Sequence, residues 1–182
     1  MVRVSYVGRE DLDADGQRVY DQIRQDRNTA EVAFQFRALL NNPKAAGHLT
    51  SLGAELRFNN SVPENLKELA VILVAREWNS EIEWTGHAVL AARAGVSDAS
   101  IERIRSRNRS EGLTGQEATI ARFAHEMLQD KQVSDTTFAA AKNIVGERGV
   151  VDLTLTVAYY SALALAQIAL ELEMEPGRAS TL

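Results

Sequence analysis

The chain has no cysteine among its 182 residues. That absence removes disulfides, cysteine-ligated zinc, iron–sulfur clusters, thiol peroxidase chemistry and a cysteine nucleophile together. Histidine is nearly as scarce. His48, His87 and His125 are the full complement, so a site made only of imidazoles would have to use every one. Three prolines and eleven glycines argue against a linker-rich or disordered chain. Positive charge is also in deficit, with 20 Lys+Arg against 25 Asp+Glu and a formal net charge of -5. Phosphate backbones are neutralised by clustered Lys and Arg, so no nucleic-acid partner is expected. Strand signals are almost missing, and no glycine-rich phosphate loop follows a strand. A G-x-S-x-G elbow for a serine nucleophile is missing too.

What is present is an ordinary globular composition, 45% hydrophobic and 25% charged. The length suits one domain over 1–182 with a sizeable core. The opening MVRVSYVGREDLDADGQRVY lacks the apolar region of a secretory signal. One stretch, LTLTVAYYSALALAQIAL from Leu153 to Leu170, runs eighteen residues without a charge and reaches the length of a membrane span. Its two Thr, Ser, Gln and five Ala make it only modestly apolar, and Glu171, Glu173 and Glu175 follow with no basic flank. It reads as a central helix buried on all sides, in a soluble, cytoplasmic protein with no membrane partner.

Helix start and stop signals recur along the chain. Asp11-Leu12-Asp13-Ala14 opens a polar helix to about Arg27; Glu31–Leu40 carries Val32, Phe36, Leu39 and Leu40 on one stripe; Pro43 to about Leu56 repeats near 3.6. Ser61-Val62-Pro63-Glu64 has the spacing of a capping box, and the helix after it is apolar nearly all round from Leu69 to Ala75, which predicts an interior position. Ser80-Glu81-Ile82-Glu83 repeats the box, and that helix ends at Gly95. Ser97 heads a short helix with Ile101 and Ile104 inward and Arg103, Arg105, Arg107 and Arg109 outward, a solvated basic face rather than a binding patch. Thr114-Gly115-Gln116-Glu117 is a third box, for a helix to about Gln129. Ser134 caps a helix ending near Gly146, and Asp152 caps the long apolar one. The sum is an all-α domain of about eight helices.

Chemistry-bearing residues concentrate between Glu64 and Gly95. Glu68 lies in the first turns of the most apolar helix, where burial would disfavour its charged form. It could equally sit on a polar edge with Glu64 and Lys67, near the helix N-terminus. Glu83 and His87 are i, i+4 and share a helix face. A carboxylate beside an imidazole sets its tautomer and supports its charged form, the usual way to build a general acid/base. Glu83 could instead serve only as the capping partner of Ser80, and His87 as a core histidine bonded to a carbonyl. Two carboxylates and an imidazole also suit a metal ion. The spacing here is Glu-x-x-x-His rather than the Glu-x-x-His of di-iron bundles, so neither metal nor cofactor is expected. Trp84 and Trp78 could wall a small-molecule pocket or be plain core.

The stretch LKELAVILVAREWNSEIEWTGHAVLAARAGVS, Leu66 to Ser97, resembles the core of the carboxymuconolactone decarboxylase superfamily, which includes the alkylhydroperoxidase D-like (AhpD-like) proteins. The likeness extends over most of 30–175. It implies an AhpD-like helical bundle, an oligomer (dimer, trimer or hexamer), and a site in which Glu68 stands at the proton-relay glutamate and His87 at the active-site histidine. The hydroperoxidase branch carries a Cys-x-x-Cys before that histidine; Ser80 and Glu83 occupy those positions here. The resemblance is therefore to the thiol-free, decarboxylase-like branch: a cofactor-independent lyase on a small organic acid or lactone, with Glu68, Glu83 and His87 catalytic. A non-catalytic binding protein on the same scaffold and a metal-dependent enzyme are the alternatives.

Overall fold

A computed structural model describes residues 2–107, 112–113 and 115–182. Among them are eight α-helices and no strand: α1 (Ala14–Arg27), α2 (Phe34–Leu39), α3 (Pro43–Phe58), α4 (Glu64–Glu77), α5 (Glu81–Arg93), α6 (Asp98–Arg105), α7 (Gly115–His125) and α8 (Asp135–Leu170). Two compact units divide the chain, one formed by Met1–Asn59 with Ala166–Arg178, the other by Asn60–Leu165 with Ala179–Leu182.

In the first unit, the Asp13 side chain accepts from the Gly16 amide at 2.8 Å and opens α1, satisfying one of the orphan donors of a helix start. Asn42 does the same for α3 through the Ala45 amide. Tyr20, Ile23, Val32, Phe36, Leu40 and Leu56 are buried. Helix α2 starts later than its apolar stripe predicts, at Phe34. Ahead of it Ala33 is extended, and Glu31 accepts a hydrogen bond from the Tyr20 hydroxyl.

The second unit is organised around α4, which packs against α5, α6 and α7. Nine of its residues are buried, in agreement with its apolar surface all round. Leu66, Leu69 and Ile72 share one core with Trp84, Ala91, Ile104, Ile120, Phe123 and Leu153. Ser80 and Ser97 cap α5 and α6 as expected, accepting from the amides of Glu83 and Ser100. Gly95 ends α5 at φ 98°, a left-handed position suited to glycine. A π-helical turn, Glu126–Asp130, prolongs α7. Thr114 and Arg109, from the expected cap and basic face, lie outside the described residues.

Three local expectations are corrected. Ser61 does not cap α4: Pro63 holds the N-cap position, and the amide and hydroxyl of Ser61 donate to Asp152 at 2.9 and 2.6 Å. Asp152 is accordingly no cap either, because α8 resumes directly after Gly146 and carries Asp152 in its interior. The break itself falls where expected, with Gly146 at φ 77° and ψ -179°, a conformation close to exclusive to glycine. Finally, the uncharged helix is not buried on all sides. Leu153, Val157, Tyr160, Leu163 and Ala164 face inward, whereas Leu155, Leu165 and Ile168 are exposed. By length and composition α8 could cross a membrane, yet 44% of its most apolar window is buried within the protein.

Candidate active site

Helices α4 and α5 form a hairpin. The chain turns through Trp78, Asn79 and Ser80, with Asn79 left-handed at φ 52°, a conformation asparagine tolerates better than most residues. Folding α5 back along α4 sets position 68 against position 87. There Glu68 Oε2 lies 2.7 Å from His87 Nδ1, with Glu68 only 1% and His87 5% exposed. The bond joins residues 19 apart in sequence, and its length is that of a charge-assisted hydrogen bond. The bond occupies Nδ1, and Nε2 is the ring nitrogen left on the side of Glu83. Glu83, one turn before His87 on α5, places Oε2 3.7 Å from Nε2, within ion-pair range but beyond hydrogen-bond distance. The structure thus brings Glu68, Glu83 and His87 together around one imidazole.

Two neighbours escaped the sequence reading as members of this cluster. Lys67 is buried, with its ammonium 2.7 Å from Glu64 Oε2 and 3.8 Å from Glu68 Oε1. The expected polar edge of α4 therefore exists, but it points inward at Lys67 and Glu68 and reaches solvent only at Glu64. Burying charge is tolerable only with partners, and the alternation of Glu64, Lys67 and Glu68 supplies them. Tyr160 of α8 meets His87 edge-on, ring centroids 4.9 Å apart, and Tyr159 meets Tyr160 in the same manner. The hint for Tyr160 lay in two tyrosines inside an otherwise aliphatic helix. Partnering them with His87 needs a long-range contact.

Trp84 is fully buried in the core beneath the Arg105 guanidinium, which stands 5.6 Å from the ring centroid. Trp78 ends α4 and is half-buried. Both indole N–H groups are buried without a hydrogen-bond partner among the described residues. His48 is exposed on α3 and His125 closes α7. As for metals, among the described residues no group of three His, Asp or Glu side chains is arranged to hold an ion.

No family model matches the chain, and no curated protein sequence does. Solved structures do. The debrominase Bmp8, in its apo crystal structure, is similar with a TM-score of 0.68 at 13% identity, over 90% of this chain and 87% of that one. A Bmp8 variant with a cysteine replaced by alanine, crystallised with 2,3,4-tribromopyrrole, is similar with a TM-score of 0.69 at the same identity and coverage. The fold is AhpD-like.

At that identity it is the fold that is shared, and the scaffold is one on which an enzyme has been built. The chemistry differs in at least one respect, since this chain has no cysteine to offer at all. What the AhpD-like arrangement holds here is an imidazole between two carboxylates.

Proposed function

We propose that this protein is a cofactor-independent acid/base enzyme of the lyase or decarboxylase type, acting on a small organic acid or lactone. The observation that carries the reading is the buried 2.7 Å pair of Glu68 and His87. In the neutral state His87 donates from Nδ1 to Glu68 and offers a lone pair on Nε2; in the protonated state Nε2 becomes a donor. Both states are needed when a proton is taken from one atom of a substrate and returned to another, and neither needs a thiol. Glu68 acts as the positioning residue, holding tautomer and ring orientation. Glu83, close to Nε2, is the carboxylate nearest the exchanging proton. Lys67 balances charge on the Glu68 side. A decarboxylation on this plan delivers a proton to the carbanion carbon as carbon dioxide leaves, which requires no external oxidant or reductant.

The test is a screen of the purified protein against small lactones and unsaturated or 2-oxo carboxylic acids, following proton uptake and carbon dioxide release. Turnover should be lost in His87→Gln and fall by roughly 100-fold or more in Glu68→Gln, the range typical of a lost general acid/base. Turnover that survives in His87→Gln at the wild-type rate would refute the assignment.

We also propose that the protein works as a homo-oligomer. The exposed row of Val151, Leu155, Ala158, Ala162 and Leu165 on α8 supports this, since its spacing of four and three residues is that of a helix-pairing seam. Light scattering that returns a monomer mass at all concentrations would exclude it.

A further inference from the structure

The C-terminal end of α4 carries a second cluster, of opposite character to the first. Arg76 donates from Nε to the Arg105 carbonyl at 2.6 Å and from a terminal nitrogen to Asn79 Oδ1. Arg107 donates from Nη2 to the same Asn79 oxygen at 2.6 Å. Two guanidiniums therefore converge on one neutral acceptor. Among the described residues neither has a carboxylate within ion-pair distance. Burial, and after it the charge of Arg107, holds the Arg76 guanidinium below its ordinary range, with Glu77 acting the other way.

These groups border a cleft of about 150 Å³, lined by Leu73, Arg76, Glu77, Ile104 and Arg107. Glu77 accepts a hydrogen bond from the Gln129 side-chain amide. Arg105, the next guanidinium along, is committed to Glu102 at 2.6 Å. Among the described residues the lining thus has two cations and one anion, for a net of one positive charge, together with two aliphatic side chains. A guanidinium has five N–H donors, and the bonds described use two on Arg76 and one on Arg107.

We propose that this cleft is a binding site for a small monocarboxylate with an apolar body, the carboxylate taken by Arg76 and Arg107 and the body lying on Leu73 and Ile104. The planar fork of a guanidinium fits a carboxylate better than any neutral group. Glu77 sets the limit on charge: a monoanion neutralises the cleft, and a phosphate dianion would overfill it.

The probe is benzoate, with benzamide as its neutral counterpart and inorganic phosphate as the polyanion. Titrated into the full chain and followed by NMR at the methyl groups of Leu73 and Ile104, benzoate should give saturable shifts. Benzamide should bind at least about 10-fold more weakly, the discrimination one charge-assisted contact supplies. Arg107 is exposed, so Arg107→Gln should cost a similar factor in benzoate affinity with the melting temperature unchanged. Glu77→Gln should tighten benzoate and admit phosphate. Should Arg76→Gln unfold the protein through its tie to Arg105, Arg107→Gln and the benzamide comparison still decide the matter. Equal binding of benzoate and benzamide, unchanged affinity in Arg107→Gln, or no saturable shift with benzoate would each overturn the proposal.

Discussion

The Glu68–His87 pair makes a thermodynamic prediction that needs no substrate. Replacing His87 by Phe keeps the ring volume but leaves the Glu68 carboxylate buried, with Lys67 at 3.8 Å as its remaining charged neighbour among the contacts described. Stripping one partner from a buried pair costs about 3–5 kcal/mol. Replacing Glu68 by Leu removes the carboxylate together with its own desolvation cost and leaves Lys67 held by Glu64 at 2.7 Å. What it orphans is Nδ1 of the His87 ring, for about 1–3 kcal/mol. The double variant orphans neither group and should cost less than the two singles added, by about 1.5–3 kcal/mol, the worth of a hydrogen bond to a charged group. Urea unfolding near neutral pH reads all four proteins. Both tryptophans, Trp78 and Trp84, lie in the unit that carries the pair, so their fluorescence reports that unit directly. Costs that add within about 0.5 kcal/mol would show that the bond is not made in solution, and the proton-relay reading would fall with it.

Two glycines should respond to the same substitution with opposite sign. Gly146→Ala forces φ 77° on a residue with a side chain, although the new methyl would meet no atom within 4 Å. The whole cost is backbone, about 1–3 kcal/mol, or several degrees in Tm at about 2–4 °C per kcal/mol. Gly86→Ala also adds a methyl into open space, but inside regular helix α5, and should gain about 0.5–1 kcal/mol. Calorimetry that finds equal shifts at the two sites would contradict the kink. A third prediction concerns acid. The Thr137 hydroxyl, then the Ser134 amide, hold the Glu126 carboxyl below its ordinary 4.5. A group depressed in the folded state adds stability above that ordinary value, and the contribution is lost as pH falls through the lower folded one. The urea midpoint of the wild type should therefore drop in this range more steeply than that of Glu126→Gln; parallel curves would remove Glu126 from the account.

Most of the helical architecture was legible because it rests on local causes. Start signals placed α1 and apolar spacing α3, the caps Asp13, Ser80 and Ser97 supply bonds within three residues, and the surface of α4, apolar all round, leaves it only an interior position. Gly95 and Gly146 mark breaks because only glycine takes those angles at little cost. Glu83 and His87 were paired from i, i+4 geometry alone, since one helix turn carries them.

What the sequence left open were choices between partners far apart in the chain. Ser61 and Asp152 each have cap chemistry, and a cap is the nearest use for it. Packing α8 beside the start of α4 let them satisfy each other over 91 residues instead. Whether Glu68 was a surface carboxylate or a buried one depended on which way the polar edge of α4 faced, and the α4–α5 hairpin decided that by bringing His87 against it. Tyr160 and Lys67 joined the site for the same reason. Local sequence determined where helices begin, end and turn, because those bonds close within a few residues. Only the tertiary structure decided which buried charges meet, because a charge leaves water only where distant segments supply its partner.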